Sequence, residues 1–308
     1  MRDLPLGLAW QPGVARIPVE RDDIVVLSGN PRQLSTLVLL IKARIAGAQV
    51  VWWGHYWSST SRRWRQVLRH LLMTAADALL FYTDDEVEAF EKDAWKFKKA
   101  QIVTSLNNGI DIKDIRRLRI PYRARERKME LLFIGRLTPK ANLGLGLDAL
   151  EKANPELTLH VIGDGEMRES LQNKVHDLGL QDRVIWHGAL IDEERIAAIA
   201  NRCKAFLYPG EVGLSLIHGM AYGLPAFVHD MRTRHMPEIA VFRDQKTGRQ
   251  FQYGSAVSFA AIINDTMSNP EELEEMSACA LSTIGPDFTT KGMQARFEAL
   301  VRALESRK

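Results

Sequence analysis

The sequence has little cysteine, no aspartate-x-aspartate triplet, no apolar run long enough to cross a bilayer, and almost no net charge. Its two cysteines, Cys203 and Cys279, lie outside any CxxC or Cys/His grouping. That spacing argues against a structural zinc site and fits a reducing cytosol, where thiols stay free. Without a D-x-D triplet, the aspartate pair that commonly chelates a metal beside a diphosphate is not available. The most apolar stretch, STLVLLIKARIAGAQVVWWG, is broken by Lys42 and Arg44 before the roughly 20 residues a spanning helix needs. Any membrane contact is therefore expected to be peripheral. The opening MRDLPLGLAWQPG carries Asp3 and no sustained apolar core, which does not fit a signal peptide. With 41 basic against 38 acidic residues the formal charge is +3, too small to point to a partner by itself.

At 308 residues, 46% apolar and 26% charged, the chain suits a soluble protein of two ordinary-sized domains. Short apolar runs at 23–28, 49–53, 78–83 and 101–105, then at 130–135, 157–163, 183–188, 204–209 and 225–229, alternate with segments of helical spacing. Runs apolar on both faces suit a parallel sheet, so the pattern is β-α-β-α in each half. The arginine-dense stretch IRRLRIPYRARERK, 115–128, reads as a hinge. It places a first domain at 1–120, a second at 121–290, and a closing amphipathic helix at 291–308 with Met293, Phe297, Leu300 and Leu304 on one stripe. Thr83 and Glu86 form a T-x-x-E capping box. Asp84, Asp85, Glu86 and Glu88 read most simply as an acidic first helical turn.

In a doubly wound fold, ligands sit at the carboxyl ends of the strands. Gly135 ends one run and is followed by Arg136 and Lys140, cations suited to a diphosphate. The alternative for the pair is a solvated loop. Gly163-Asp164-Gly165 turns a strand into a helix. In YPGEVGLSLIHGMAYGLP, 208–225, the turn Gly210-Glu211-Val212-Gly213 leads into a helix opening at Leu214 and Ser215. Its first turn would expose unpaired N–H groups to phosphate oxygens. Leu214, Ile217, His218 and Ala221 fall on one helical face, and Gly223 suits a C-cap. His160, His187, His229 and His235 are scattered and form no H-x-x-x-H metal pair. Glu238 is open between a ligand pocket and the surface.

Taken together, R-L-x-x-K after F-I-G, then V-I-G-D-G and G-M-A-Y-G-L-P, resemble the retaining nucleotide-sugar glycosyltransferases of the GT-B fold, family 4 type (glycosyl transferases group 1), with bacterial polysaccharide enzymes looking nearest. The resemblance covers roughly 130–305. Asn107, Asn108, Gly109 and Asp111 are similar to the family's N-G-x-D segment, and Trp53-Gly54-His55 to its first-domain histidine loop. The resemblance implies an α/β fold of two Rossmann-like doubly wound domains facing a cleft, the C-terminal helix packing back toward the first. It implies a catalytic set of Arg136, Lys140, His55 and Glu211, with Arg136 and Lys140 on the donor diphosphate and His55 facing the transferred sugar; the alternative for His55 is an aromatic-rich loop packed against Trp52, Trp53 and Trp57. Donor contacts fall on Gly135, Gly163, Asp164, Gly165, Gly188, Gly210, Val212, Gly213, Leu214, Ser215 and His218, with 185–188 near the base. No metal and no cofactor are expected. The family's two glutamates, seven residues apart, are altered: Gly210 and His218 occupy their places, and Glu211 is one place late. His218 is expected either on ribose hydroxyls or as a buried histidine on a backbone carbonyl.

The implied reaction moves a sugar from a nucleotide-diphosphate donor to a glycan or lipid-linked acceptor in cell-surface polysaccharide synthesis, in the cytoplasm or at the inner face of the membrane. The alternative is a non-catalytic nucleotide-sugar-binding subunit or degenerate homologue. The first half has only four clear strands and no glycine-rich loop before them, which fits either a compact member or a chain without its natural start. Residues 58–72 place Trp64, Val67, Leu68, Leu71 and Leu72 beside Arg62, Arg63, Arg65 and Arg69. Such a basic amphipathic helix, with KFKKA and the arginine hinge in the same half, suits anionic lipid; the alternative is a core helix with a solvated arginine face. No aromatic-and-basic motif supports nucleic acid.

Overall fold

A computed structural model of the chain describes residues 2–4, 8–56, 63–92 and 101–307. Trp57, Arg62 and the KFKKA segment lie outside these residues, and the side chains of Arg63, Trp64 and Arg65 outside the described side chains. Two compact α/β units result, one of residues 1–107 with 292–308, the other of residues 108–291.

The first unit holds a short antiparallel hairpin, β1 (Arg2–Leu4) with β2 (Leu8–Trp10), and a parallel sheet of β3 (Ile24–Ser28), β4 (Gln49–Trp53), β5 (Ala78–Phe81) and β6 (Ile102–Ser105) in sequential order. Alternate residues of its central strands feed opposite cores. Val50, Trp52, Leu79 and Phe81 enter one, and Val51, Ala78 and Leu80 the other. Both faces are covered, so these runs are apolar throughout rather than alternating. The closing helix Thr290–Glu305 supplies Leu300 and Leu304 to the second core, with Met293 and Phe297 packed against it. Gln49 Nε2 donates to the Leu304 carbonyl at 2.8 Å.

The second unit is a six-stranded parallel sheet in the order β12-β11-β10-β7-β8-β9. Its strands are β7 (Glu130–Ile134), β8 (Thr158–Ile162), β9 (Val184–Gly188), β10 (Ala205–Leu207), β11 (Ala226–His229) and β12 (Gly248–Phe251). All nine apolar runs are strands. The half-polar edge strand β12, GRQF, and the N-terminal hairpin carry no such run. The chain winds outward from β7 through β9 and then returns to β10 on the other side of β7. The doubly wound switch point therefore lies between β7 and β10.

The arginine stretch is not a free hinge. The units divide at 107/108 rather than at 120, and 113–128 is built into the second unit. Lys113–Leu118 is a helix, Arg119 donates to the Ala221 carbonyl, Tyr122 Oη to the Lys204 carbonyl, and Arg127 to the carbonyls of Ala200 and Cys203. Guanidiniums that satisfy carbonyls at element ends are anchors, which residue composition alone does not distinguish from a solvated linker. In the helix Arg63–Met73, Val67, Leu68 and Leu71 are exposed while Met73 is buried.

Candidate functional site at the switch point of the second sheet

Strand-end turns converge at this switch point. The Gly163 N–H donates to the Gly188 carbonyl at 2.8 Å, Gly135 N–H to Ile162 at 3.0 Å, Leu137 N–H to Asp164 at 2.9 Å, and Glu211 N–H to Lys140 at 2.9 Å. These bonds join the turns after β9, β8 and β7, and separately join the Lys140 turn to the one after β10. Close backbone approach makes two glycines indispensable. A Cβ on Gly163, whose φ is +146°, would sit 1.8 Å from the Gly135 oxygen, and one on Gly210 1.9 Å from the Lys140 oxygen.

Charge and open donors line this rim. The exposed Arg136 guanidinium makes no hydrogen bond or ion pair among the described residues. Lys140 Nζ lies 3.1 Å from Glu211 Oε2, so two expected catalytic residues are paired with each other. Asp164 accepts from the Gly165 N–H at 2.8 Å and from Arg168 Nη1 at 2.9 Å. The backbone donor, with help from Arg168, holds its carboxyl below the ordinary range. Gly213 begins the helix Leu214–Ala221 without a side-chain cap, and the N–H groups of Gly213, Leu214 and Ser215 have no partner among the described residues. An anion there gains about 0.3–2 kcal/mol from the helix dipole. Leu214 points out at 46% exposure rather than joining Ile217 and Ala221 in the core.

Beneath the loop, His235 is a hub that sequence spacing did not reveal. Its Nε2 hydrogen bonds the His229 carbonyl at 3.0 Å, which fixes Nδ1 as the acceptor for the buried Val212 N–H at 3.2 Å. The two imidazoles stack at 3.8 Å. Burial lowers the pKa of both, that of His229 to about 4, so His235 keeps its accepting lone pair. Tyr208 stacks on Phe133 at 5.0 Å under Gly135, and burial raises its pKa.

His218 is neither free nor bonded to a backbone carbonyl. Its Nε2 lies 3.0 Å from Glu193 Oε1, which also accepts from Tyr222 Oη at 2.5 Å. Burial acts to raise the Glu193 pKa, but these two hydrogen bonds outweigh it and hold the carboxyl low. A glutamate 25 residues away in the chain has no local signal that could have identified it. The buried Glu238 carboxylate accepts from Asn108 Nδ2 at 3.0 Å, so it is no surface group. Asp111 accepts from the Lys113 N–H two residues on, in the turn that leads into the helix Lys113–Leu118.

The remaining expected residues belong to the first unit. His55 Nδ1 lies 3.1 Å from Glu86 Oε1, and its ring packs on Tyr82 at 4.4 Å. Asp84, Asp85 and Glu86 do form the acidic first turn of the helix Asp84–Lys92, but Glu86 has more than a dipole role. It is buried and accepts from the N–H groups of Tyr56 and Tyr82, one residue short of the Thr83 N–H that a capping box would satisfy. Asp84 is held bidentately by Arg296 of the closing helix at 2.9 and 3.0 Å and also binds Asn107 Nδ2. Asn107 therefore locks this unit's own elements together.

A doubly wound domain whose switch point carries an exposed guanidinium and, among the described residues, helix N–H groups without partners has groups of the kind that hold anions. Comparison with known proteins gives the family. Residues 114–281 match the model of the family "Glycosyl transferases group 1", and the chain belongs to that family. A lipopolysaccharide 1,6-galactosyltransferase of Salmonella typhimurium is 27% identical over 138 residues, 42% of this chain and 37% of that protein, so the chain spans well under half of this relative's length. Among solved structures, the apo lipopolysaccharide outer core galactosyltransferase WaaB superposes with a TM-score of 0.68 at 20% identity, covering 91% of this chain and 75% of that one. The Anabaena Alr3699/HepE protein in complex with UDP gives 0.68 at 18%, covering 92% and 79%. The two Rossmann-like units are those of the GT-B fold.

Proposed function

We propose that the chain is a retaining glycosyltransferase that moves a sugar from a nucleotide-diphosphate donor to a glycan or lipid-linked acceptor in polysaccharide synthesis. The observation that carries this is the switch-point rim of a chain in a glycosyl transferase family, where Arg136 and three helix N–H groups, without partners among the described residues, follow the neighbouring strands β7 and β10. Oxygens of the donor diphosphate would take the Gly213, Leu214 and Ser215 N–H groups, and Arg136 would carry the charge that grows as the sugar leaves. Lys140 would join it by exchanging Glu211 for phosphate. Attack on the face the diphosphate leaves retains configuration without a carboxylate nucleophile, the diphosphate accepting the acceptor's proton. Protein cations serve in place of a metal, and no cofactor is required. His55 is assigned to the transferred sugar. The exposed Val67, Leu68 and Leu71 suit peripheral contact with anionic lipid at the inner membrane face.

The test is a thermal-shift screen with UDP-, GDP-, ADP- and CMP-sugars, followed by turnover with the stabilising donor. Arg136→Gln or Lys140→Met is expected to lower turnover about 10²–10³-fold. Unchanged rates in both would overturn the assignment of these cations. A second reading, a binding subunit without turnover, draws support from the engagement of Lys140 by Glu211 and of His218 by Glu193. Donor binding with no transfer to any acceptor would favour it.

A further inference from the structure

At the amino-terminal side of the second sheet, away from the strand-end rim, three buried residues of different chemistry meet. Glu130 opens β7, His160 lies inside β8, and Cys203 stands two residues before the start of β10. They are 7%, 2% and 0% exposed. One ligand atom from each lies within 4.8 Å of the others. Glu130 Oε2 and His160 Nε2 lie 3.3 Å apart, both buried and without a hydrogen-bond partner among the described residues.

The surroundings prepare these atoms as ligands. His160 Nδ1 is 2.9 Å from His187 Nε2. With the Nδ1 proton donated to His187, His160 Nε2 presents a lone pair inward, the orientation that an outer partner gives a metal-bound histidine. Arg202 Nη2 holds Glu130 Oε1 at 2.7 Å, leaving Oε2 to face the cluster. Arg127 donates to the carbonyls of Ala200 and Cys203, fixing the loop that carries the thiol. Those two guanidiniums would repel an ion held by neutral ligands, but a carboxylate and a thiolate offset them. Around tetrahedral zinc, S, N and O ligands stand about 3.3–3.7 Å apart. The Glu130–His160 pair is already at that spacing, and Cys203 needs at most a shift of about 1 Å.

We propose that Glu130, His160 and Cys203 form a buried three-ligand site for a borderline divalent ion, zinc by its mixed O, N and S ligands. Binding converts the Cys203 thiol, which now donates to the Ile199 carbonyl, into a thiolate and releases one proton. Affinity therefore weakens as pH falls. The ion would tie β7, β8 and the loop before β10 together, and is separate from the proposed transfer chemistry.

The test uses the full chain, purified without chelator or affinity-tag histidines. After dialysis, about one equivalent of zinc per chain is expected by elemental analysis, falling to near zero in Cys203→Ala and in His160→Gln. Cobalt replacement in the unaltered chain should give a thiolate-to-cobalt charge-transfer band, which does not depend on any variant folding. Absence of both retained zinc and the cobalt band overturns the proposal and leaves a proton-bridged His160–Glu130 pair. Retention unchanged in both variants overturns it equally. Zinc retained with loss in the variants supports it whatever the outcome of the donor screen.

Discussion

His235→Ala tests whether the loop at the rim is held from below. The imidazole accepts the Val212 N–H at 3.2 Å and donates to the His229 carbonyl at 3.0 Å, and Val212 is fully buried. Truncation strands a buried donor, at a cost of about 1–3 kcal/mol. The stacked His229 ring also loses its neighbour at 3.8 Å. A loss of about 2 kcal/mol in a unit of this size lowers Tm by roughly 4–8 °C. Val212 lies between Gly210 and Gly213, so loosening it should also weaken binding of whichever nucleotide sugar stabilises the protein, by about tenfold for each 1.4 kcal/mol of loop order lost. His235→Asn places an acceptor near the former Nδ1, whereas His235→Gln reaches only toward Nε2. Calorimetric titration should therefore show donor affinity recovering in Asn more than in Gln. If Ala and Asn bind the donor equally, or if Ala lowers Tm without touching affinity, Val212 is not the link and the reasoning fails.

Acidification should act on the same pair. Burial depresses the folded-state pKa of both imidazoles, that of His229 from 6.5 to about 4, so the unfolded chain takes up protons first. Their stabilisation is full above about pH 6.5 and is lost as pH falls toward 4, by up to about 3 kcal/mol for His229, readable in denaturant midpoints. Gly210→Ala, whose Cβ would overlap the Lys140 oxygen, should cost about 1–3 kcal/mol and reduce donor binding, checked by thermal melting with and without donor. Leu304→Ala, at a fully buried position where the closing helix covers the first sheet, should cost about 2–5 kcal/mol in chemical denaturation while leaving donor affinity within twofold.

The sequence by itself determined the two-part α/β fold. Runs such as ALLF, and LLFI after the opening Glu130 of β7, are apolar at every position because both sheet faces are covered, and that pattern is written locally. It also determined the rim, since Gly163 and Gly210 occur where backbone oxygens pass within 2 Å of a would-be Cβ and only glycine is accommodated. What it could not give was pairing between distant side chains. The 115–128 segment reads as a linker until its arginines are seen on carbonyls at 200, 203 and 221. That His218 pairs with Glu193, from another helix, is written nowhere near it in the chain. Glu130, His160 and Cys203 read as unrelated residues until parallel strands set them side by side. Backbone conformation and burial follow short-range periodicity. Hydrogen-bond partners are chosen by sheet order and register, which exist only once the chain has folded.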